Sequence, residues 1–338
     1  MEMNYPKMPV DERIDRYLKL TDSRYPIQIG GMAWAGNAYN MSLGANIGMV
    51  VFLGSGNIDP ELLREQIKAF RLLAPGKKCG VNLIMLKTTK KPELEQLIQA
   101  RINVCIEEGV ERVATGAGLL TKEQVVFLKS GGCQLFAVVG HVRTAILAAE
   151  LGYDFIVAEG RESGGHVGPV LTEPLVAEVV KDITHIPVVA AGNLKDYKDL
   201  AKMLELGVVA GQAGTVFLAT TDFDIHENYK NAIVNAQETV VTAINRILQV
   251  RQVPNAFTDE FMKCKEEGAS VIELEELCLG RLKLATVDGD WDKASFMAGD
   301  VAKRIRSLVS VKERADNFWL HMPSILPETS SLVKQTAI

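Results

Sequence analysis

The chain has 338 residues, 47% hydrophobic and 23% charged, and 42 acidic against 37 basic side chains leave a formal charge of -5. That balance excludes a disordered chain and supplies no general attraction to nucleic acid or to an anionic lipid surface. No apolar run is long enough to span a bilayer, the N-terminal stretch carries early charge, and the five cysteines lack CxxC spacing, so a reduced cytoplasmic protein is expected.

From Tyr25 to about Thr220 short apolar runs alternate with helix-like segments. The first predicted strand, residues 26–29, ends in Gly30-Gly31-Met32; the second, 49–52, in Gly54-Ser55-Gly56-Asn57, after which PELLREQIKAFRLLA reads as a helix. The third, 78–84, holds Asn82 near its end, and the fourth, 112–114, runs into Thr115-Gly116-Ala117-Gly118. Gly140-His141 and the helix RTAILAAELG follow the fifth, 134–138; EGRESGGHVG follows the sixth, 155–158. The seventh, 188–191, leads to Gly192-Asn193 and the helix DYKDLAKMLELG, and the eighth, 208–210, to Gln212-Ala213-Gly214-Thr215.

Eight such units predict an α/β fold, a (β/α)8 TIM barrel. A doubly wound sheet has the same alternation but gathers its ligand site at one crossover. Here all the strand ends carry glycine or polar residues, and a barrel brings them over one opening. Beyond Phe217, NYKNAIVNAQETVVTAINRIL reads as a long helix or a bent helical pair, DEFMKCKEEG and the run around KASFMAGDVAKRIRSLV as further helices, and MPSILPETSSLVKQTAI as a weakly periodic tail on the surface or on a partner subunit. The expected organisation is a barrel core over 1–224, a helical cap or insert over 225–310 and a C-terminal packing segment or tail over 311–338.

Glycine at a strand end lets backbone amides approach a ligand, and the turns AAGN and GQAGT follow adjacent strands where such barrels hold a phosphate. Gln212 reads either as a ligand contact or as an internal hydrogen-bond partner, and Thr215 as a hydroxyl donor or a helix cap. There is no GxGxxG after a strand and no GxxxxGK[ST], which disfavours a dinucleotide-binding unit and ATP chemistry, yet a barrel accommodates flavin mononucleotide, FMN. Asn82 and Glu159 offer polar partners to such a ring over a floor of Gly31 to Ala33, with Met32 read either as packing or as a wall against the ring. His166, after two glycines, is the main chemical candidate, because imidazole exchanges protons near neutral pH. His141 is a secondary candidate, His185 falls at the opposite end of its strand, and neither HExxH nor another metal motif is present. Ser163 reads as a loop cap or phosphate contact, since ESGGH is not GxSxG, and Glu162 as a solvated acid or an orienting group.

Together YPIQIGGMAWAG, GVNLIML, VATGAG, FIVAEGRESGGHVG, VVAAGN and GQAGTVF resemble the flavin-dependent enoyl-acyl-carrier-protein reductase II family of fatty-acid biosynthesis, which is similar to the nitronate monooxygenases. The resemblance covers nearly the whole chain, and VDGD and FMAG favour its enoyl reductase branch. It implies FMN contacts from Gly31, Met32, Ala33, Asn82, Glu159, Ser163, Gly164, Gly165, Gly192, Gln212, Gly214 and Thr215, with His166 on the substrate side. Two positions depart from the family pattern: Asn193 stands where a second glycine is usual, and Val216 where GTRF has arginine.

The leading expectation is reduction of a trans-2-enoyl thioester on acyl carrier protein, with NADH or NADPH reducing FMN and His166 donating or orienting a proton. The alternative is oxidation of nitronates or nitroalkanes by FMN and oxygen, and the third reading is a non-catalytic flavin-binding or regulatory barrel. A homodimer is expected from the resemblance, and no nucleic-acid, membrane or metal partner.

Overall fold

The structure, a computed structural model, describes residues 3–56, 58–85, 92–245 and 248–336. Asn57, Leu86, Arg246, Ile247, Ala337 and Ile338, which belong to segments quoted above, lie outside the described residues. The strands are β1 (Ile27–Ile29), β2 (Val50–Val51), β3 (Leu53–Gly54), β4 (Gly80–Ile84), β5 (Arg112–Gly116), β6 (Gln134–Val139), β7 (Phe155–Glu159), β8 (Gly165–His166), β9 (Val188–Ala191), β10 (Ala210–Ala213), β11 (Val240–Ala243) and β12 (Gln249–Gln252).

Nine of them form a parallel sheet in the order β2-β1-β10-β9-β7-β6-β5-β4-β3. Its two ends, β2 and β3, are separated in the chain only by Phe52, so they are two halves of one strand and the sheet closes on itself. The result is the expected eight-stranded parallel barrel. Barrel strands are covered on both faces, which is why Phe155-Ile156-Val157-Ala158 is unbroken in its hydrophobicity and buried throughout.

The outer helices begin and end where their caps dictate. Asp59 accepts from the Leu62 amide at 2.8 Å to start the helix Pro60–Leu73. Asp196 caps Tyr197–Leu206, which stops at Gly207 with φ 112°. The floor of the barrel is packed by aromatic rings: Phe136 and Phe155 stack at 4.3 Å, and Phe52 and Tyr17 meet them edge-on. Tyr17 comes from the N-terminal helix Val10–Thr21, which plugs the bottom and is tied there by Arg13 to the Val208 carbonyl and by Arg112 to the Thr21 carbonyl.

The C-terminal third departs from the helical expectation in two places. NYKNAIVNAQETVVTAINRIL is neither one long helix nor a helical pair: after Glu227–Val234 the chain turns into the hairpin β11–β12. The run Thr239 to Thr242 is β-branched at every position, and that stiffness suits a strand once a partner is supplied. Residues around KASFMAGDVAKRIRSLV form an isolated bridge at Met297 and a 3-10 helix, Asp300–Arg304, in place of an α-helix. DEFMKCKEEG does fall in a helix, Ala256–Glu266. The final segment is ordered against the barrel, with Leu332 and Val333 buried and Trp319 Nε1 donating to Thr336 Oγ1 at 2.6 Å. Among the described residues no helix is long and apolar enough to cross a membrane.

Candidate active site at the barrel mouth

The loop after β1 is bare of side chains because two amides lie against it. A Cβ on Gly30 would sit 3.0 Å from the Gln212 side-chain amide, and one on Gly31 would overlap the Asn82 side chain. The strands β1, β10 and β4 thus bring Gly31, Gln212 and Asn82 into one cluster. Gln212 Oε1 accepts from Gln28 Nε2 at 2.8 Å, and Gln28 Oε1 from the Tyr17 hydroxyl at 3.0 Å. Both readings of Gln212 are therefore compatible: its oxygen is committed inside the barrel, and its Nε2 keeps free donors within the described residues. The Asn82 side-chain amide likewise has no hydrogen-bond partner among them, although Asn82 is 9% exposed. Met32 reaches across to the next turn, where a Cβ on Gly214 would lie 3.1 Å from its sulfur, while Ala33 is half-buried beside Gly56.

The two turns expected to hold an anion are neighbours. Ala191 on β9 is in register with Gln212 on β10, so Gly192 and Gly214 follow side by side. Gly192 has φ 109°, a region closed to most side chains, and a Cβ there would strike Thr172 Oγ1. Asn193 is left-handed at φ 57°. Thr215 Oγ1 accepts from the Gly299 amide at 2.9 Å, leaving its own proton available. Val216 is fully buried in the hydrophobic core, where an uncharged side chain is suited.

Residues Glu159 to His166 fold as a built loop. The Ser163 hydroxyl donates to the Gly160 carbonyl at 2.9 Å, which is the capping role. Glu162 is not merely solvated: its Oε2 accepts from the amide and hydroxyl of Thr172 at 2.8 and 3.0 Å, at the start of the helix Thr172–Asp182. Gly165 and His166 form β8, antiparallel to β12, with His166 opposite Val250 and Gly165 opposite Arg251. Gly164 packs against Ala298 and Gly299, where any Cβ would collide with backbone. Arg251 completes the clamp by donating to the Arg161 carbonyl, to Thr239 Oγ1 and to Asp300 Oδ1, while the Asp300 amide donates to the Glu162 carbonyl at 2.9 Å.

Burial pushes the Glu159 carboxyl up to about 7, an effect moderated by the neighbouring Ser163 hydroxyl. Desolvation holds the His166 imidazole below the ordinary histidine range. His166 is nevertheless an exposed residue, on the loop that β8 carries across the barrel mouth. It makes no hydrogen bond among the described residues. His141 is exposed ahead of the helix Val142–Leu151, and His185 lies at the far end of the barrel before β9, as expected.

A flat cofactor with polar edges and a phosphate requires a smooth backbone floor, amide donors at its rim and glycine turns for the anion. Gly30-Gly31, the amides of Asn82 and Gln212, and the paired turns at Gly192 and Gly214 fit those requirements. Sequence reasoning missed what comes from the C-terminal third: Gly299 against Gly164 and Thr215, the Arg251–Asp300 clamp, and Lys283, whose Nζ lies 5.1 Å above the Trp34 ring. FMAG was the available signal, since a glycine closing an apolar run invites a close backbone approach.

The profile of the nitronate monooxygenase family matches residues 15–317. A probable nitronate monooxygenase of Staphylococcus aureus (strain Newman) is 26% identical over 324 residues, covering 84% of this chain and 91% of that one. The solved structure of FabK from Thermotoga maritima is 32% identical, with a TM-score of 0.85 and coverage of 94% of this chain and 98% of that one. A nitroalkane oxidase from Streptomyces ansochromogenes shares the fold at a TM-score of 0.79 and 21% identity, covering 91% of this chain and 99% of that one.

Proposed function

The chain belongs to the nitronate monooxygenase family of FMN-dependent oxidoreductases, and on that premise we propose that it oxidises a nitroalkane or its nitronate with oxygen as the final acceptor. The observation that carries this reading is the desolvated His166 on β8 at the mouth. An imidazole held below its ordinary range is neutral at neutral pH, and a neutral imidazole accepts a proton more readily than it supplies one. His166 Nε2 or Nδ1 takes the proton from the carbon that bears the nitro group, leaving the electron-rich nitronate. FMN, when bound, supplies the electron acceptor that oxygen regenerates. Gly31, Met32 and Ala33 would form the floor for the ring, Asn82 and Gln212 would donate to its edge, and the turns at Gly192 and Gly214-Thr215 would hold the phosphate through their amides. Glu159, Ser163, Gly164 and Gly165 shape the wall that presents His166.

A second reading is favoured by the match to FabK, an enoyl-acyl-carrier-protein reductase II, at higher identity than the curated nitronate monooxygenases. There the substrate is a trans-2-enoyl thioester, free or on acyl carrier protein, NADH or NADPH is the reductant, and His166 serves the opposite proton transfer. Anaerobic mixing separates the two. A nitronate bleaches the bound flavin under the first reading and NAD(P)H does not; bleaching by NAD(P)H, with colour restored by crotonyl thioester, would establish the second. For the leading reading, His166→Asn with FMN retained lowers kcat/KM on a neutral nitroalkane by roughly 10²- to 10⁴-fold. It spares the preformed nitronate, which has already lost its proton, and an equal loss on both forms contradicts the base assignment.

A further inference from the structure

The 3-10 helix Asp300–Arg304 ends directly over the turn that follows β9. Arg304 donates to the Asn193 carbonyl at 2.6 Å and to Asn193 Oδ1 at 3.1 Å, and its guanidinium also meets Asp199 at 3.1 and 2.9 Å. Asp199 in turn accepts from the Lys195 amide at 2.8 Å. One cation therefore grips both the residue at the corner of the turn and the carboxylate that secures the turn's exit.

Asn193 needs that grip. Its φ of 57° is left-handed, a conformation a glycine takes without penalty and any residue with a Cβ takes at some cost. Arg304 occupies both oxygens of Asn193 only while the residue stays left-handed, so the two groups select one turn shape. An exposed ion pair alone is worth little, and Arg304 is 39% exposed. What distinguishes this one is the fork, which reads a backbone carbonyl, a side-chain carbonyl and a carboxylate together.

We propose that Arg304 is a positioning residue for the anion-binding turn: it fastens Asn193 in the left-handed form so that the amides after Gly192 are set for the flavin phosphate before the cofactor arrives. The inference rests on the flavin reading given above and goes beyond it by naming a residue outside the barrel as the organiser of the phosphate turn.

The test is a double-variant cycle on FMN affinity, read from quenching of flavin fluorescence on titrating the full-length apoprotein. Arg304→Ala weakens binding about tenfold, and Arg304→Lys, which keeps the charge and loses the fork, does not restore it. Asn193→Gly restores wild-type affinity, and in that background Arg304→Ala changes the dissociation constant less than about twofold, because a glycine corner needs no clamp. An equal Arg304→Ala penalty in both backgrounds overturns the proposal, as does rescue by lysine, which would assign Arg304 a charge effect on the phosphate. If the wild-type apoprotein fails to bind FMN, it is the flavin reading that falls. Hydrogen exchange of the Asn193 to Lys195 amides in the apoprotein then decides the clamp: faster exchange in Arg304→Ala, cancelled by Asn193→Gly, sustains it, and unchanged exchange removes it.

Discussion

Replacing Glu159 by glutamine should stabilise the apoprotein, and the gain should depend on pH. Glu159 ends β7 inside the barrel mouth, and burial raises its carboxyl from 4.5 to about 7. A folded-state pKa above the unfolded value means that the folded chain holds its proton longer, so this residue's contribution is fully present below about 4.5 and is lost as pH rises through 7. At about 1.4 kcal/mol per pH unit the rise corresponds to about 3 kcal/mol as an upper bound. Water reaches part of the side chain, which reduces the expectation to about 2 kcal/mol. Glutamine keeps the shape and never ionises, so Glu159→Gln should gain under about 1 kcal/mol at pH 5 and about 2 kcal/mol at pH 8. In urea titrations followed by tryptophan fluorescence, the midpoint should move up by roughly 0.5 M at pH 8 and by less than half of that at pH 5. Taking the difference between variant and parent cancels every other titrating group that the two share. A shift of equal size at both pH values would refute the argument, because it would mean that the carboxyl titrates alike in the folded and unfolded chains.

Gly31→Ala places a methyl into the Asn82 side chain and should cost about 1–3 kcal/mol in urea unfolding as well as most of the FMN affinity; unaltered flavin titration would remove Gly31 from the floor of the site. Arg251→Met cuts the ties to the Arg161 carbonyl, Thr239 and Asp300, and should destabilise by about 2 kcal/mol while speeding hydrogen exchange at Gly164 to Val167. Adding Asp300→Asn should recover part of that loss, since with Arg251 gone the carboxylate would keep only the exposed Lys303 as its cation, and strict additivity of the two changes would show that the pair is not coupled.

The barrel was legible because its signals are local. A parallel strand buried on both faces must be apolar throughout, as Phe155 to Ala158 and Val188 to Ala191 are, and each strand must hand over to a turn with glycine or a polar cap. The proposed floor and phosphate turns were picked out at Gly30-Gly31, Gly192 and Gly214 for the same reason: the absence of a side chain is written in the sequence. Even here the partner was not. Nothing near Gly31 announces that Asn82 fills the space a Cβ would need, or that Tyr17, on the plug at the barrel's other end, commits one end of Gln212 through Gln28.

The hairpin and the cap contacts were not legible, because their cause is distant in the chain. Thr239 to Thr242 has a strand's composition but sits in a stretch whose apolar spacing also suits a helix, and what decides is the edge that Gly165-His166 presents to β12. Pairing His166 with Val250 therefore does two things at once: it turns an ambiguous segment into a strand and it fixes the backbone of the proposed base. The two departures from the family pattern follow the same logic. Read along the chain, Asn193 lacks a glycine's freedom and Val216 lacks a charge. In the fold, Val216 lies in the core, and a cation reaches the proposed phosphate turn as Arg304 from the cap, bound to the very asparagine whose conformation is left-handed. The C-terminal third thus completes the mouth of the barrel, since Gly299, Asp300 and Arg304 each secure a different one of its loops.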